Sequence, residues 1–107
     1  MIKNISLILL IMYNCLSALS QVTGKVVDKT NFALEYATAA IYNQETNELV
    51  TGVITDINGV FVFDNLKKGT YYLEASFIGY EVKIIQGIAV VSKNKTTDLG
   101  TLRLTLG

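Results

Sequence analysis

From Val22 to Leu106 the apolar side chains of this sequence recur at every second position, and no window there sustains a helical 3.6-residue period over three turns. That periodicity admits strands and little else. Val22 to Asp28 sets Val22, Gly24 and Val26 against Thr23, Lys25 and Val27. Ala37 to Tyr42 turns Ala37, Ala39 and Ile41 one way, and such small residues need bulky partners opposite, for which the downstream aromatics are candidates. Leu49 to Thr55 is rich in β-branched residues, and Val60 to Phe63 places both phenylalanines on one face. Thr70 to Phe77 aligns Tyr71, Leu73, Ala75 and Phe77. Val82 to Val91 reads as a longer strand bent at Gln86-Gly87, and Leu99 to Leu106 aligns Leu102, Leu104 and Leu106. Polar or glycine-bearing stretches separate these runs, and Asn58-Gly59 predicts a tight hairpin. About seven strands at roughly 8–12-residue spacing predict an all-β fold, an antiparallel Greek-key-type β-sandwich. In a chain with no proline, Lys25, Glu74, Lys83 and Arg103 are expected to guard the strand edges.

The first twenty residues follow a different logic. Lys3 precedes the apolar run Ile5 to Tyr13, and Ala18-Leu19-Ser20 supplies small residues where a signal peptidase reads them. The run is about nine residues, against roughly 20 for a spanning helix. The expectation is a signal peptide over residues 1–20 that adopts a helix, cleavage before Gln21, and one exported domain over residues 21–107 with no transmembrane span. Cys15 lies behind the apolar run, but Asn14 is a poor match for the small residue that precedes a lipidated cysteine, so lipidation at Cys15 is not expected. The mature domain would then hold no cysteine and no disulfide.

Composition removes most chemistry. There is no histidine, which excludes Ser-His-Asp and Cys-His nucleophilic machinery and histidine-ligated zinc or haem. A single cysteine excludes a multi-cysteine metal site. Nine basic and nine acidic side chains cancel, leaving no field to recruit nucleic acid or an anionic membrane. Asp56-x-Asn58-Gly59 touches the calcium-loop pattern, but its twelfth position is Lys67 instead of an acid. Lys67-Lys68 reads as a solvated turn. Nothing in the sequence brings Asp56 and Asp64 together as an acid–base pair. No catalytic, cofactor-binding or metal-ligating residue is therefore nominated, and no cofactor is expected.

Five motifs stand in order along the domain: Gly24-Lys25-Val26-Val27-Asp28; Leu34 and Ala37; Thr55 to Phe63; Leu66 with Gly69-Thr70-Tyr71-Tyr72-Leu73; and Ser76-Phe77-Ile78-Gly79-Tyr80. The series resembles the carboxypeptidase regulatory-like domain, a transthyretin-like (prealbumin-like) sandwich, and covers Val22 to about Leu106. One motif departs: where the family usually has Pro-Leu-x-Gly, this chain has Ala33-Leu34-Glu35-Tyr36. The resemblance implies a module without catalytic groups of its own. In Bacteroidetes-type bacteria such a module commonly follows the signal peptide of TonB-dependent outer-membrane receptors, whose barrel needs more chain than residues 21–107 supply.

The leading expectation is thus a non-catalytic accessory or interaction module of the bacterial envelope, free-standing or a truncated N-terminal domain of a TonB-dependent receptor-type protein. It would meet a periplasmic or outer-membrane protein through strand edges or loops. The alternative is a carbohydrate- or small-ligand-binding sandwich using Tyr36, Tyr42, Tyr72 and Tyr80. Phe61, Phe63, Tyr71, Leu73 and Phe77 are expected in the core, and Gly79-Tyr80 as a bend with its phenol anchored by a hydrogen bond.

Overall fold

The computed structural model describes residues 20–91 and 94–107, so the expected signal helix, with Cys15, lies outside the described residues except for Ser20. Seven strands run in the order β1 (Gln21–Val27), β2 (Thr38–Asn43), β3 (Leu49–Ile54), β4 (Val60–Phe63), β5 (Gly69–Ser76), β6 (Lys83–Val90) and β7 (Thr96–Arg103). They form a three-stranded sheet, β4-β1-β7, and a four-stranded sheet, β3-β2-β5-β6. No helix occurs among the described residues, and the all-β sandwich is the one the alternation predicts. Its pairings are antiparallel except β1 with β7, which run parallel. Alternation tells which face a side chain takes, and not the direction of the neighbouring strand, so that pairing is a finding of the structure.

The core lies between the sheets. Val22 and Val26 of β1, Phe61 and Phe63 of β4, and Leu102 of β7 face Ala39 and Ile41 of β2, Leu73 and Ala75 of β5, and Ile88 and Val90 of β6 in one buried cluster. Phe61 and Phe63 pack edge to face, with ring centroids 5.7 Å apart. Gly24 sits opposite Phe61 in register, and a Cβ there would fall 2.6 Å from Phe61 Cε2. The missing side chain is therefore the space the ring occupies.

Several expectations change in detail. The 56–59 turn is not a hairpin, because β3 pairs with β2 while β4 pairs with β1; it is a corner that carries the chain between sheets. Asp56 Oδ1 accepts from Asn58 N–H at 2.8 Å and Val60 N–H at 2.9 Å, the self-bonding that makes aspartate a turn former. Gly59 takes φ = 74°, while Asn58 stays out of the left-handed region. A Cβ on Gly59 would collide with the Val26 carbonyl oxygen, so glycine is required by close approach as well as by φ.

Leu106 is exposed instead of buried beside Leu102 and Leu104. The tail leaves the sheet after Arg103: Glu81 N–H donates to Thr105 C=O at 2.8 Å, and Leu106 bridges to Tyr80. β7 also starts earlier than its leucines suggest, because Gln21 and Val22 pair with Thr96 and Thr97. Of the four charges expected on edges, Lys83 and Arg103 lie on edge strands β6 and β7, while Lys25 and Glu74 lie on the interior strands β1 and β5. Face alternation cannot separate an edge from a centre.

Substituting Gly24→Ala should cost about 1–3 kcal/mol, because the buried Phe61 ring has nowhere to retreat. Gly52→Ala, whose new Cβ would meet only the Ala39 carbonyl oxygen at 3.7 Å, should be close to neutral. Urea denaturation of both variants measures the difference.

Candidate functional site

The loops at one end of the sandwich are tied together by a buried threonine. Thr55, 2 % exposed, donates through Oγ1 to Leu34 C=O at 2.6 Å and accepts from Ala37 N–H at 2.9 Å. Its backbone N–H donates to Ala37 C=O at 2.9 Å, and Tyr36 N–H donates to Thr55 C=O at 3.2 Å. One side chain thus satisfies two buried backbone groups of a loop that lacks regular pairing. Asp28 caps the neighbouring loop: Oδ1 accepts from Thr30 Oγ1 at 2.7 Å, Thr30 N–H at 2.8 Å and Phe32 N–H at 3.0 Å. The Thr30 hydroxyl, followed by those backbone donors, holds the Asp28 carboxyl below its ordinary value.

That scaffold presents Tyr36. Its backbone is left-handed, φ = 64°, and its side chain is 73 % exposed. A bulky residue rarely takes this conformation. The position is the one at which the family pattern quoted above carries glycine. Tyr36 lines an open groove of about 670 Å³ with Thr38 and with Phe77, Ile78, Tyr80 and Val82 of the β5–β6 connection. Ile78 is 95 % exposed at its rim, Val82 is exposed in its lining, and Ile54, the register partner of Thr38, is exposed too. Tyr80 is fixed by its ring edge against Phe77, 5.8 Å between centroids, and by its N–H on Phe77 C=O at 3.0 Å. The anchoring phenol hydrogen bond expected of Tyr80 belongs instead to Tyr71, whose hydroxyl donates to Lys67 C=O at 2.5 Å. Phe77, expected in the core, is only partly buried and packs on its border.

The other two tyrosines lie apart. Tyr42 and Tyr72 are register partners on the outer face of the four-stranded sheet, stacked at 4.8 Å and 9°. They spend their faces on each other, so this pair is a weaker platform than the groove. Tyr42 Oη donates to Glu74 Oε2 at 3.4 Å. Burial, then the Glu74 charge and this hydrogen bond, push the Tyr42 phenol up; burial alone pushes Tyr71 up.

Asp56 and Asp64 remain separate. The first caps its corner, and the second accepts from Gln21 Nε2 at 2.5 Å. Among the described residues, no three of His, Cys, Asp or Glu are grouped to hold a metal, and no helix is long and apolar enough to cross a membrane. Sequence reasoning found Tyr36 and Tyr80 as surface candidates. It missed the role of Thr55, for which the signal was a threonine placed directly before the Asp56 turn.

The family model of the carboxypeptidase regulatory-like domain matches residues 21–105. No curated protein matches. Among solved structures, the Bacillus anthracis TIE protein superposes with a TM-score of 0.68 at 19% identity, over 81% of this chain and 16% of that one. The group B streptococcus pilus 2b backbone protein gives 0.56 at 23% identity, over 81% and 41%. The 3-chlorocatechol 1,2-dioxygenase of Rhodococcus opacus gives 0.61 at 12% identity, over 85% and 61%. This chain therefore spans less than two thirds of each, and what the likeness carries is the fold.

Two outcomes follow from the geometry. Tyr36→Gly removes about 1–2 kcal/mol of left-handed strain, less the roughly 0.5–1 kcal/mol that glycine loses through the unfolded chain. A thermal melt should show a midpoint raised by a few degrees. At high pH the raised phenols matter: a tyrosine whose folded pKa exceeds its unfolded value of about 10 contributes stability below that value and loses it as pH rises through the folded one. Urea midpoints should hold steady to about pH 10 and then fall, and the fall should be smaller in Tyr42→Phe.

Proposed function

The chain belongs to the carboxypeptidase regulatory-like domain family, and from that premise we propose that it serves as a non-catalytic, protein-binding accessory module of the bacterial cell envelope. In this reading residues 1–20 direct export and are removed. The sandwich then works in the periplasm or at the outer membrane, as a free-standing module or the N-terminal domain of a TonB-dependent receptor-type protein. The observation that carries the proposal is the rigid two-sheet fold with exposed apolar loops at one end, in a chain without histidine. Asp28 and Asp56 are used as loop caps, which agrees with a binding role. Likeness to a pilus backbone protein and to a dioxygenase agrees with a fold reused for unlike tasks, and function must then come from the surface.

A second reading, a carbohydrate- or small-ligand-binding module, is favoured by one feature. Tyr36 and Tyr80 present two phenols in the same groove beside the hydroxyl-bearing Thr38 and Ser76.

The two readings separate in one experiment. A C-terminally tagged chain, expressed in a Bacteroidetes-type host, cross-linked and fractionated, should appear in the envelope with its leader removed and should co-purify with an envelope protein. Recovery in the cytoplasm with the leader intact would overturn the module reading. Glycan binding that is lost in Tyr36→Ala, with no protein recovered, would put the second reading in its place.

A further inference from the structure

Among the described residues the sandwich has four free strand edges, β4 and β7 on one sheet and β3 and β6 on the other, and three of them are guarded. β4 is only four residues long. β7 carries Asp98 and Arg103, and its register breaks around Gly100, where φ = 74°. β6 breaks its register around Gly87, whose N–H is taken by Gln44 Oε1 at 2.7 Å. Lys83 of β6 pairs with buried Ala75, so a charge points toward the inner face at that edge. Short strands, bulges and inward charges are the devices that keep edges from pairing.

β3 differs. Its six residues, Leu-Val-Thr-Gly-Val-Ile, include no charge, and Leu49, Val50 and Ile54 are exposed. A bulge leaves Val50 without a register partner on β2, while Thr51 to Ile54 stay in regular register with it. Thr55 N–H bonds back to Ala37 C=O, so by strand alternation the backbone groups of Ile54 and Gly52 turn to the open edge. The sheet face at Gly52 is also uncrowded: a Cβ there would meet nothing closer than the Ala39 carbonyl oxygen at 3.7 Å, so a side chain can be added without disturbing β3.

We propose that β3 is a self-association edge, pairing antiparallel with β3 of a second copy to join the two four-stranded sheets into one. A two-fold axis at Gly52 sets Gly52 against its own counterpart, Thr51 against Val53, and Val50 against Ile54. On either side of the paired glycines a β-branched residue meets a β-branched one, and no charge is desolvated. A second copy suits this edge better than a charged partner strand, for which β3 offers no counter-charge, and the formal net charge of zero adds no repulsion between copies. Six residues a side bury less than the roughly 1,200–2,000 Å² of a stable interface, so the dimer is weak and depends on concentration. This inference goes beyond the module reading and is independent of export or of any envelope partner.

Sedimentation velocity of the full-length chain from micromolar to millimolar concentration tests it, beside Gly52→Lys and, as a control on the other edge of the same sheet, Ile84→Lys. The wild type and Ile84→Lys should dimerise alike. Gly52→Lys, with two lysines meeting at the axis, should raise the dissociation constant at least about tenfold while its urea midpoint stays put. All three proteins share every other segment, so association through a leader or the groove would be equal in all of them, and that result overturns the proposal. A wild type that stays monomeric at millimolar concentration does the same. Amide shifts on dilution should concentrate in Leu49–Ile54; shifts confined to Tyr36 and the β5–β6 connection would also refute it.

Discussion

The inner face of the three-stranded sheet depends on a ring lying on bare backbone. Phe61 occupies the volume that any side chain at position 24 would need, and Phe63 braces it edge-on. Because Phe61 and Gly24 are cross-strand partners, this contact also fixes how β4 lies on β1. The small inner residues of the facing sheet, Ala39 and Ala75, let the second layer come close. A chain without disulfides in the domain must gain its stability from such apolar burial, and packing to interior density leaves no slack for an added methyl group.

Around that core, the sequence was most legible where one period decides the outcome. The inward faces of β1, β2, β4 and β5 follow from alternation alone, since a strand has only two faces. Pairing was less legible. Which strands become neighbours is set by long-range docking, so the parallel β1–β7 contact, the corner at Asp56–Gly59 and the interior positions of Lys25 and Glu74 could not be read from local pattern. Leu106 was misplaced for a related reason: its alternation with Leu104 continues, but backbone bonds to the β5–β6 connection draw the tail away.

The groove was half visible. Tyr36 and Tyr80 stood out as aromatics outside the core pattern, yet nothing local says that residues so far apart share a concavity. That follows only from the loops meeting at one pole, with Thr55 bonded to Leu34 and Ala37. The departure at Ala33-Leu34-Glu35-Tyr36 was visible as a letter change, and the structure gives it physical content. A side chain stands in a backbone conformation that glycine adopts freely, and strain of that kind persists only where the surroundings enforce it.

The parallel pairing of β1 with β7 has a mechanical corollary. β1 enters at one pole, beside Thr96, and β7 leaves at the other, where Arg103 lies level with Val27. Tension applied to the two extremities of the fold would therefore slide these strands past each other, loading their ladder of bonds together instead of opening it one rung at a time. A small sandwich wired in this way is built to resist being drawn apart along its length.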